Sequence, residues 1–269
     1  MSSDIILLGA VAYDAKVVPI WEGIRDHFRA QGVALDFALY SNYERQVEEL
    51  LAGHIDLAWN TPLAHVRVQK QTEMRSRSLG MRDSDRDFHG KLVVRKDSGI
   101  RAPADLAGKT LAVGSKDSTQ ARILPLHFLK REGVDLGKVK QLAFDTDLGK
   151  HGDTGTSELE VLNALRDGRA QAGVIGDLVW VNELAAGRVD AASLEAIWTT
   201  PGFDHCMFDA LPTLDEVKVN AFQRALFAMK WENPTHRRIL ELEGLKEWMP
   251  PRERGYDSLR AALDELGYW

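Results

Sequence analysis

The chain has 269 residues, 44% of them hydrophobic and 28% charged, which is typical of a globular protein with one large or two medium domains. Its net charge of -6, with basic residues scattered among acidic ones, argues against nucleic-acid binding. The single cysteine excludes an internal disulfide and a cysteine-rich zinc site, and no cofactor or metal is predicted. Apolar runs are too short to span a membrane.

Short apolar runs alternate with helical periodicity along most of the chain, which predicts an α/β protein with mostly parallel strands. In the first part the predicted strands cover 5–11, 33–40 and 55–59, and the helices cover 17–31, a segment from Ser41 or Asn42, and a segment from Asn60. Helices that begin directly after strands meet at the edge where open α/β sheets bind ligands. We therefore take Tyr13, Asn60 and Thr61 as ligand-binding candidates; the last two would also cap their helix.

An acidic turn, 83–87, joins predicted strands at 75–82 and 88–96. It imitates the start of a calcium loop, but it lacks the glycine of the sixth position, and Val94 stands where the last carboxylate belongs. We interpret it as a solvated turn without a metal.

A glycine turn and hydroxyl side chains follow the buried strand predicted at 110–113. Ser118 and Thr119 suit a helix N-cap, and the first amides of a helix attract anions, so this turn, with Ser115, predicts an anion cradle. A nucleotide site is disfavoured because no Gly-Lys-Ser/Thr follows Gly114.

A second α/β unit continues from this cradle. Its predicted elements are a helix at 119–132, a strand at 139–144, a glycine-rich loop at 149–156, a helix at 158–166, a strand at 172–175, a helix at 178–186 and an apolar run at 194–198. The tail from Leu214 is predicted to be helical with no strand of its own, and Val217, Phe222, Leu226 and Met229 form its apolar face.

The tail helices are expected to return to the first unit. Lobe 1 would then comprise 1–92 plus 200–269 and lobe 2 would comprise 93–199, with a ligand cleft between them. Two crossings, near 91–95 and 198–201, would act as hinges.

Three stretches then carry a family resemblance: YERQVEELLAGHIDLAWNTPL (43–63), LAGKTLAVGSKDST (106–119) and VLNALRDGRAQAG (161–173). In this order they resemble the substrate-binding proteins of phosphate and phosphonate ABC transporters. The resemblance implies the two-lobed type II periplasmic-binding-protein fold. It also implies capture of a small oxyanion, phosphonate-like, a phosphate ester or related, for an ABC permease or a sensor partner.

The resemblance further implies that Tyr43 contacts ligand oxygen, where packing is the alternative, and that Ser118 and Thr119 hold the oxyanion. The family's third hydroxyl position carries Gln120 here. The aromatic position on the crossing strand falls at His89.

The family's histidine before a later helix falls near Glu158, a carboxylate that would repel a dianion unless it points away. Asp204 is the nearest match for the acidic group that meets a ligand amine, with Asp177 less securely placed. A ligand with both anionic and cationic or hydroxyl groups is therefore favoured.

A second hypothesis is a cytosolic enzyme on the same fold, with His89, Glu158, His205 and Cys206 as its reactive groups. Adjacent residues on a strand point to opposite faces, so His205 and Cys206 are not expected to pair. We interpret 204–206 as a cleft-lining loop, with His205 as a ligand-binding candidate and Cys206 as a buried thiol. The chain begins without a visible export signal, so as written it is expected to be cytoplasmic, or periplasmic if a signal was removed.

Overall fold

A computed structural model describes residues 5–150 and 156–268. In chain order the strands and helices are β1 Ile6–Val11, α1 Val17–Ala30, β2 Leu35–Tyr40, α2 Tyr43–Leu51, β3 Leu57–Asn60, α3 Pro62–Gln71, β4 Arg77–Arg82, β5 Gly90–Arg95, β6 Thr110–Val113, α4 Leu124–Arg131, β7 Lys140–Ala143, α5 Thr156–Arg166, β8 Ala172–Gly176, α6 Asp177–Ala185, β9 Leu194–Thr199, β10 Met207–Ala210, α7 Glu216–Phe227, α8 Pro234–Glu243, β11 Trp248–Met249 and α9 Asp257–Leu266. None of the described helices has the length and apolar character of a membrane span.

The chain divides into two compact units, each with its own sheet. Unit 1 comprises residues 5–87 and 204–256, and unit 2 comprises residues 88–203 and 257–268. The division differs from the predicted lobes at the C-terminus, since residues 257–268 belong to unit 2 and not to the first lobe. The reason is a set of bonds from α9 to α4: Glu265 accepts from His127 Nδ1 at 2.6 Å and also pairs with Lys130.

The sheet of unit 1 has the strand order β11-β4-β10-β3-β1-β2. Strands β2, β1 and β3 are parallel, as the sequence predicts, whereas β10 runs antiparallel to both β3 and β4. The tail does contribute a strand, contrary to the prediction: β11 pairs with β4. A two-residue strand is too short to give a periodic signal.

One core cluster of unit 1 lies between this sheet and helices α1, α7 and α8, and a second packs against α2 and α3. On α1 the residues Ile20, Trp21, Ile24 and Phe28 are almost fully buried, and Gly32 ends the helix region with a positive φ of 73°. On α7 the predicted apolar face is correct for Phe222 and Leu226 but wrong for Val217, which is 75% exposed in the first turn.

The sheet of unit 2 has the order β7-β6-β8-β5-β9. Strands β7, β6 and β8 are parallel, and β5 runs antiparallel to β8 and β9. Parallel strands buried on both faces read as near-continuous apolar runs, which is why β6 and β8 were predicted within a residue of their observed limits. The predicted glycine-rich loop at 149–156 lies largely outside the described residues.

Candidate functional site

The predicted anion cradle of unit 2 lies where β6 ends and a helix begins. Gly114 N donates to Ala121 O at 3.0 Å, which brings the helix start against the strand end. A Cβ on Gly114 would lie 2.8 Å from the Ala121 Cβ and 3.2 Å from Ser157 Oγ. Only glycine allows this close approach without a shift of the helix.

The helix begins with a π-turn, Thr119–Ile123, that continues into α4. Ser118 is its N-cap, as predicted: Ser118 Oγ accepts from Ala121 N at 3.0 Å. The wider ring is closed by Ile123 N, which donates to Ser118 O at 2.9 Å. Single π-turns of this kind are frequent at functional sites.

Ser115 is the hydroxyl of the cradle with spare bonding capacity. Its side chain is fully buried, and its Oγ has no hydrogen-bond partner among the described residues. Its amide donates to Ser157 Oγ at 3.3 Å, and Thr119 beside it is 2% exposed. A buried hydroxyl without a partner costs about 1–3 kcal/mol, so the cradle would be stabilised by a ligand oxygen bonded there.

Glu158 is buried and bonded within unit 2. Its two carboxylate oxygens accept from Gln120 Nε2 at 3.1 Å and from Gly176 N at 2.5 Å. It therefore connects α5 to the end of β8 and to the π-turn. Of the two alternatives for this residue, these bonds favour a carboxylate directed into the unit.

His89 and Asp177 lie together where β5 begins and β8 ends. His89 is half-buried, its Nδ1 lies 2.8 Å from Thr200 O, and its carbonyl accepts from Asp177 N at 2.9 Å. Asp177 begins α6, and its Oδ1 has no partner among the described residues.

Tyr43 and Tyr13 lie in unit 1. Tyr43 is the first residue of α2, which Asn42 caps by accepting from Arg45 N at 2.8 Å. The Tyr43 side chain is 7% exposed and packs with Val47, while Tyr13 after β1 is half-buried. Both remain predicted ligand contacts.

Asn60 and Thr61 do not cap α3 through their side chains, contrary to the prediction. Asn60 is the last residue of β3 and fully buried; its Nδ2 donates to Asp209 Oδ2 at 2.8 Å, and its Oδ1 accepts from Gln46 Nε2 at 2.8 Å. Thr61 occupies the N-cap position but makes no side-chain cap bond. The side-chain amide of Asn60 is bonded to the buried Asp209 carboxylate and to Gln46, so it does not cap α3.

Sequence reasoning missed the centre of this network, Asp209 and His65. Both side chains are fully buried, and His65 Nδ1 lies 2.8 Å from Asp209 Oδ1. The ring of Tyr256 stands 4.2 Å from the ring of His65, whose Nε2 has no partner among the described residues. The signal that could have found it is a charged residue inside the apolar run 207–210.

Asp204 is fully buried and bonded to an arginine. Arg252 Nε donates to Asp204 Oδ2 at 2.8 Å, and Arg252 Nη2 bonds Asp204 Oδ1 and also Asp87 Oδ1, the latter at 3.0 Å. Hydrogen bonds with Asp204 and then Asp87 raise the pKa of Arg252 above its ordinary value. The carboxylate predicted to meet a ligand amine thus already has a cationic partner.

His205 and Cys206 do lie together, contrary to the prediction, with His205 Nδ1 3.1 Å from Cys206 Sγ. They precede β10 in an irregular segment, so the alternation of a strand does not apply. Cys206 is a buried thiol, as predicted.

The acidic turn is not simply solvated, because Asp85 within it is fully buried. Asp85 Oδ1 accepts from Arg82 Nη2 at 2.6 Å and lies 3.6 Å from His205 Nδ1. Burial would raise the pKa of Asp85, but Arg82 and then His205 hold it well below its usual value. Asp85, His205 and Cys206 are near enough to share a metal ion, yet the Arg82 guanidinium on Asp85 opposes a cation there.

Two α/β units of this topology define the class of binding proteins with the type II periplasmic-binding-protein fold. The chain belongs to the ABC transporter, phosphonate, periplasmic substrate-binding protein family, whose model matches residues 11–256. This family consists of substrate-binding components of transporters and does not support the enzyme alternative.

Individual proteins agree with this assignment. The chain is 25% identical over 236 residues to a probable ABC transporter phosphite binding protein, PhnD1, of Prochlorococcus marinus (strain MIT 9301), covering 84% of this chain and 75% of the relative. The solved structure of PhnD1 in complex with methylphosphonate has a TM-score of 0.78 and 21% identity, with 99% of each chain covered. XAC2383 from Xanthomonas citri, bound to ATP, has a TM-score of 0.77 and 18% identity, also with 99% of each chain covered.

Proposed function

We propose that this substrate-binding protein captures a small oxyanion of the phosphonate or phosphite class and delivers it to the permease of an ABC transporter. Ser115, Ser118 and Thr119 in unit 2 supply the oxyanion contacts, together with the amides at the start of the π-turn. Tyr13, Tyr43 and Thr61 of unit 1 stay predicted ligand contacts, whereas the Asn60 side chain is fully buried and bonded to Asp209 and Gln46. The protein acts in the periplasm, where its family functions.

The observation that carries the proposal is the buried Ser115 hydroxyl without a partner among the described residues. It stands beside the N-cap of the helix that starts at Thr119, where the helix dipole favours negative charge. A tetrahedral oxyanion offers acceptors in several directions, so it can bond a hydroxyl and neighbouring amides at once.

The state of Asp204 bears on the ligand class. Because Arg252 occupies this buried carboxylate, an ammonium group on the ligand would have to compete with a guanidinium already bonded there. The proposal is therefore a ligand without an amine. The relative named as a phosphite binding protein, and its complex with methylphosphonate, are consistent with such a ligand.

Isothermal titration calorimetry against methylphosphonate, phosphite, phosphate, 2-aminoethylphosphonate and methanesulfonate tests the proposal. A ligand at 100 times its Kd should also stabilise the protein by about 2.7 kcal/mol. Ser115→Ala removes a hydrogen bond to a charged group, about 1.5–3 kcal/mol, and should weaken binding by roughly tenfold to a hundredfold.

Ser78→Ala is the matched control, since Ser78 in β4 of unit 1 also carries a buried Oγ without a partner among the described residues. It should leave affinity unchanged. Equal affinity for wild type and both the Ser115→Ala and Thr119→Ala variants would reject the cradle, and absence of binding to every oxyanion would reject the ligand class.

A further inference from the structure

The chain passes between the two units at three places: after Asp87, after Phe203 and after Tyr256. The crossings expected from the sequence, near 91–95 and 198–201, lie a few residues inside unit 2 from the first two, and the third follows from the assignment of α9 to unit 2. On the unit 1 side, the residues at all three crossings belong to one group joined by hydrogen bonds. Each hydrogen bond at the crossings joins two residues of the same unit.

The first two crossings run antiparallel beside one another. In unit 2 Phe88 and Phe203 exchange backbone bonds of 2.8 and 3.0 Å. In unit 1 His205 N donates to Asp85 O at 2.8 Å, and Asp87 N lies 3.4 Å from Asp204 Oδ1. The pairing is thus continuous along both segments.

The third crossing is bonded to this pair within unit 1. Asp204 N donates to Gly255 O at 2.9 Å, and Tyr256 OH donates to His205 O at 2.9 Å. A Cβ on Gly255 would lie 2.0 Å from the Asp204 carboxyl carbon, so a glycine is needed for this approach. The third segment therefore lies directly against the second.

Arg252 connects all three segments through one guanidinium. Arg252 lies four residues before Tyr256, at the third crossing. Its guanidinium bonds Asp204, which follows the second crossing, and Asp87, which precedes the first crossing. Asp204 is fully buried, so loss of this arginine would leave a buried carboxylate without its cationic partner. Asp87 has a φ of 54°, in the left-handed region that few non-glycine residues adopt, and such strain persists only where neighbouring bonds hold it.

We propose that Arg252, Asp87 and Asp204 form a crossing clamp in which Arg252 is a positioning residue: it holds the three connecting segments as one element and fixes the backbone of the first in its left-handed conformation. Backbone flexibility at one crossing is thereby coupled to backbone flexibility at the other two. The proposal concerns the ligand-free protein and does not depend on which ligand the cradle takes.

Hydrogen exchange of the ligand-free protein, read by mass spectrometry, tests the clamp. Arg252→Met removes the charge-assisted bonds to two carboxylates, so exchange in peptides covering 85–90, 203–206 and 253–258 should rise together by at least about tenfold. The peptide covering α1 should be unaffected. Arg252→Lys should restore protection only in part, because an ammonium cannot fork between two carboxylates as a guanidinium does.

Arg188→Met is the matched control, since Arg188 forms a two-bond fork with Glu183 at 2.7 Å in unit 2. It should leave the three crossing peptides unchanged. Faster exchange confined to 253–258, or a uniform rise that includes α1, would overturn the proposal. If Arg252→Met does not fold, Arg252→Lys and Asp87→Asn decide the matter: both should loosen 85–90, and unchanged exchange there in both variants refutes the clamp.

Discussion

Replacing Asp209 by alanine should destabilise the protein by about 4 kcal/mol. The substitution leaves two donors, Asn60 Nδ2 and His65 Nδ1, without the acceptor that each now meets at 2.8 Å in a fully buried place. Each orphaned donor costs about 1–3 kcal/mol, which sums to about 2–6 kcal/mol.

Asp209→Asn is a useful second variant, because asparagine keeps the shape of the side chain and one acceptor oxygen. The new amide group would face a donor, but His65 can move its proton to Nε2, which has no partner among the described residues, and then accept at Nδ1. We expect a loss of only about 1–2 kcal/mol from this variant. Urea unfolding measures both values, with calorimetry to test whether the two units unfold together.

A loss below about 1 kcal/mol for Asp209→Ala would contradict the reasoning, since it would mean that water or a rearranged side chain satisfies both donors. A larger loss for Asp209→Asn than for Asp209→Ala would contradict the tautomer argument in particular. The Ser78→Ala variant serves as the reference here as well, because Ser78 pairs with Asp209 across β4 and β10 while its buried Oγ has no hydrogen-bond partner among the described residues.

Two further predictions concern charge. Burial, and then the neighbouring His27, lowers the pKa of His236 below its ordinary 6.5; His27 Nδ1 lies 3.1 Å from His236 Nε2. The contribution of His236 to the free energy of unfolding should therefore be highest above pH 6.5 and fall as the pH drops toward the lowered pKa of the folded state. The unfolding midpoint of His236→Gln should lack this part of the pH dependence. Glu158→Gln should leave the ratio of the affinities for phosphate and methylphosphonate within about threefold of the wild-type ratio, because the Glu158 carboxylate is bonded to Gln120 Nε2 and Gly176 N within unit 2; calorimetry that finds a ratio changed by about tenfold or more would mean that this carboxylate repels the ligand after all.

The sequence predicts the fold best where signals are local. Strand β1 was expected at 5–11 and is found at Ile6–Val11, and α1 ends before Gly32 as the glycine indicates. Strand β11 was missed because two residues give no periodic signal, and β10 was missed because Asp209 interrupts its short apolar run.

The candidate site follows the same rule. The Ser118 cap was predictable because donor and acceptor lie three residues apart, and the burial of Asp85 could have been inferred from Arg82 three residues before it. The bond from Arg252 to Asp204 joins residues 48 positions apart, and the bond from Asn60 to Asp209 joins residues 149 apart. Nothing in the sequence around either residue specifies such a partner, so these contacts needed the structure.

The three buried aspartates of unit 1 share one arrangement that bears on ligand choice. Asp85 is bonded to Arg82, Asp204 to Arg252 and Asp209 to His65. A buried carboxylate without a basic neighbour would repel an anion and attract a cation, with little solvent to screen either effect. Because each of these acids is bonded to a basic side chain instead, an oxyanion meets less opposition from them and a ligand amine gains less. The charge of each of these acids is thus balanced within unit 1, which agrees with the proposal of an anionic ligand without an amine.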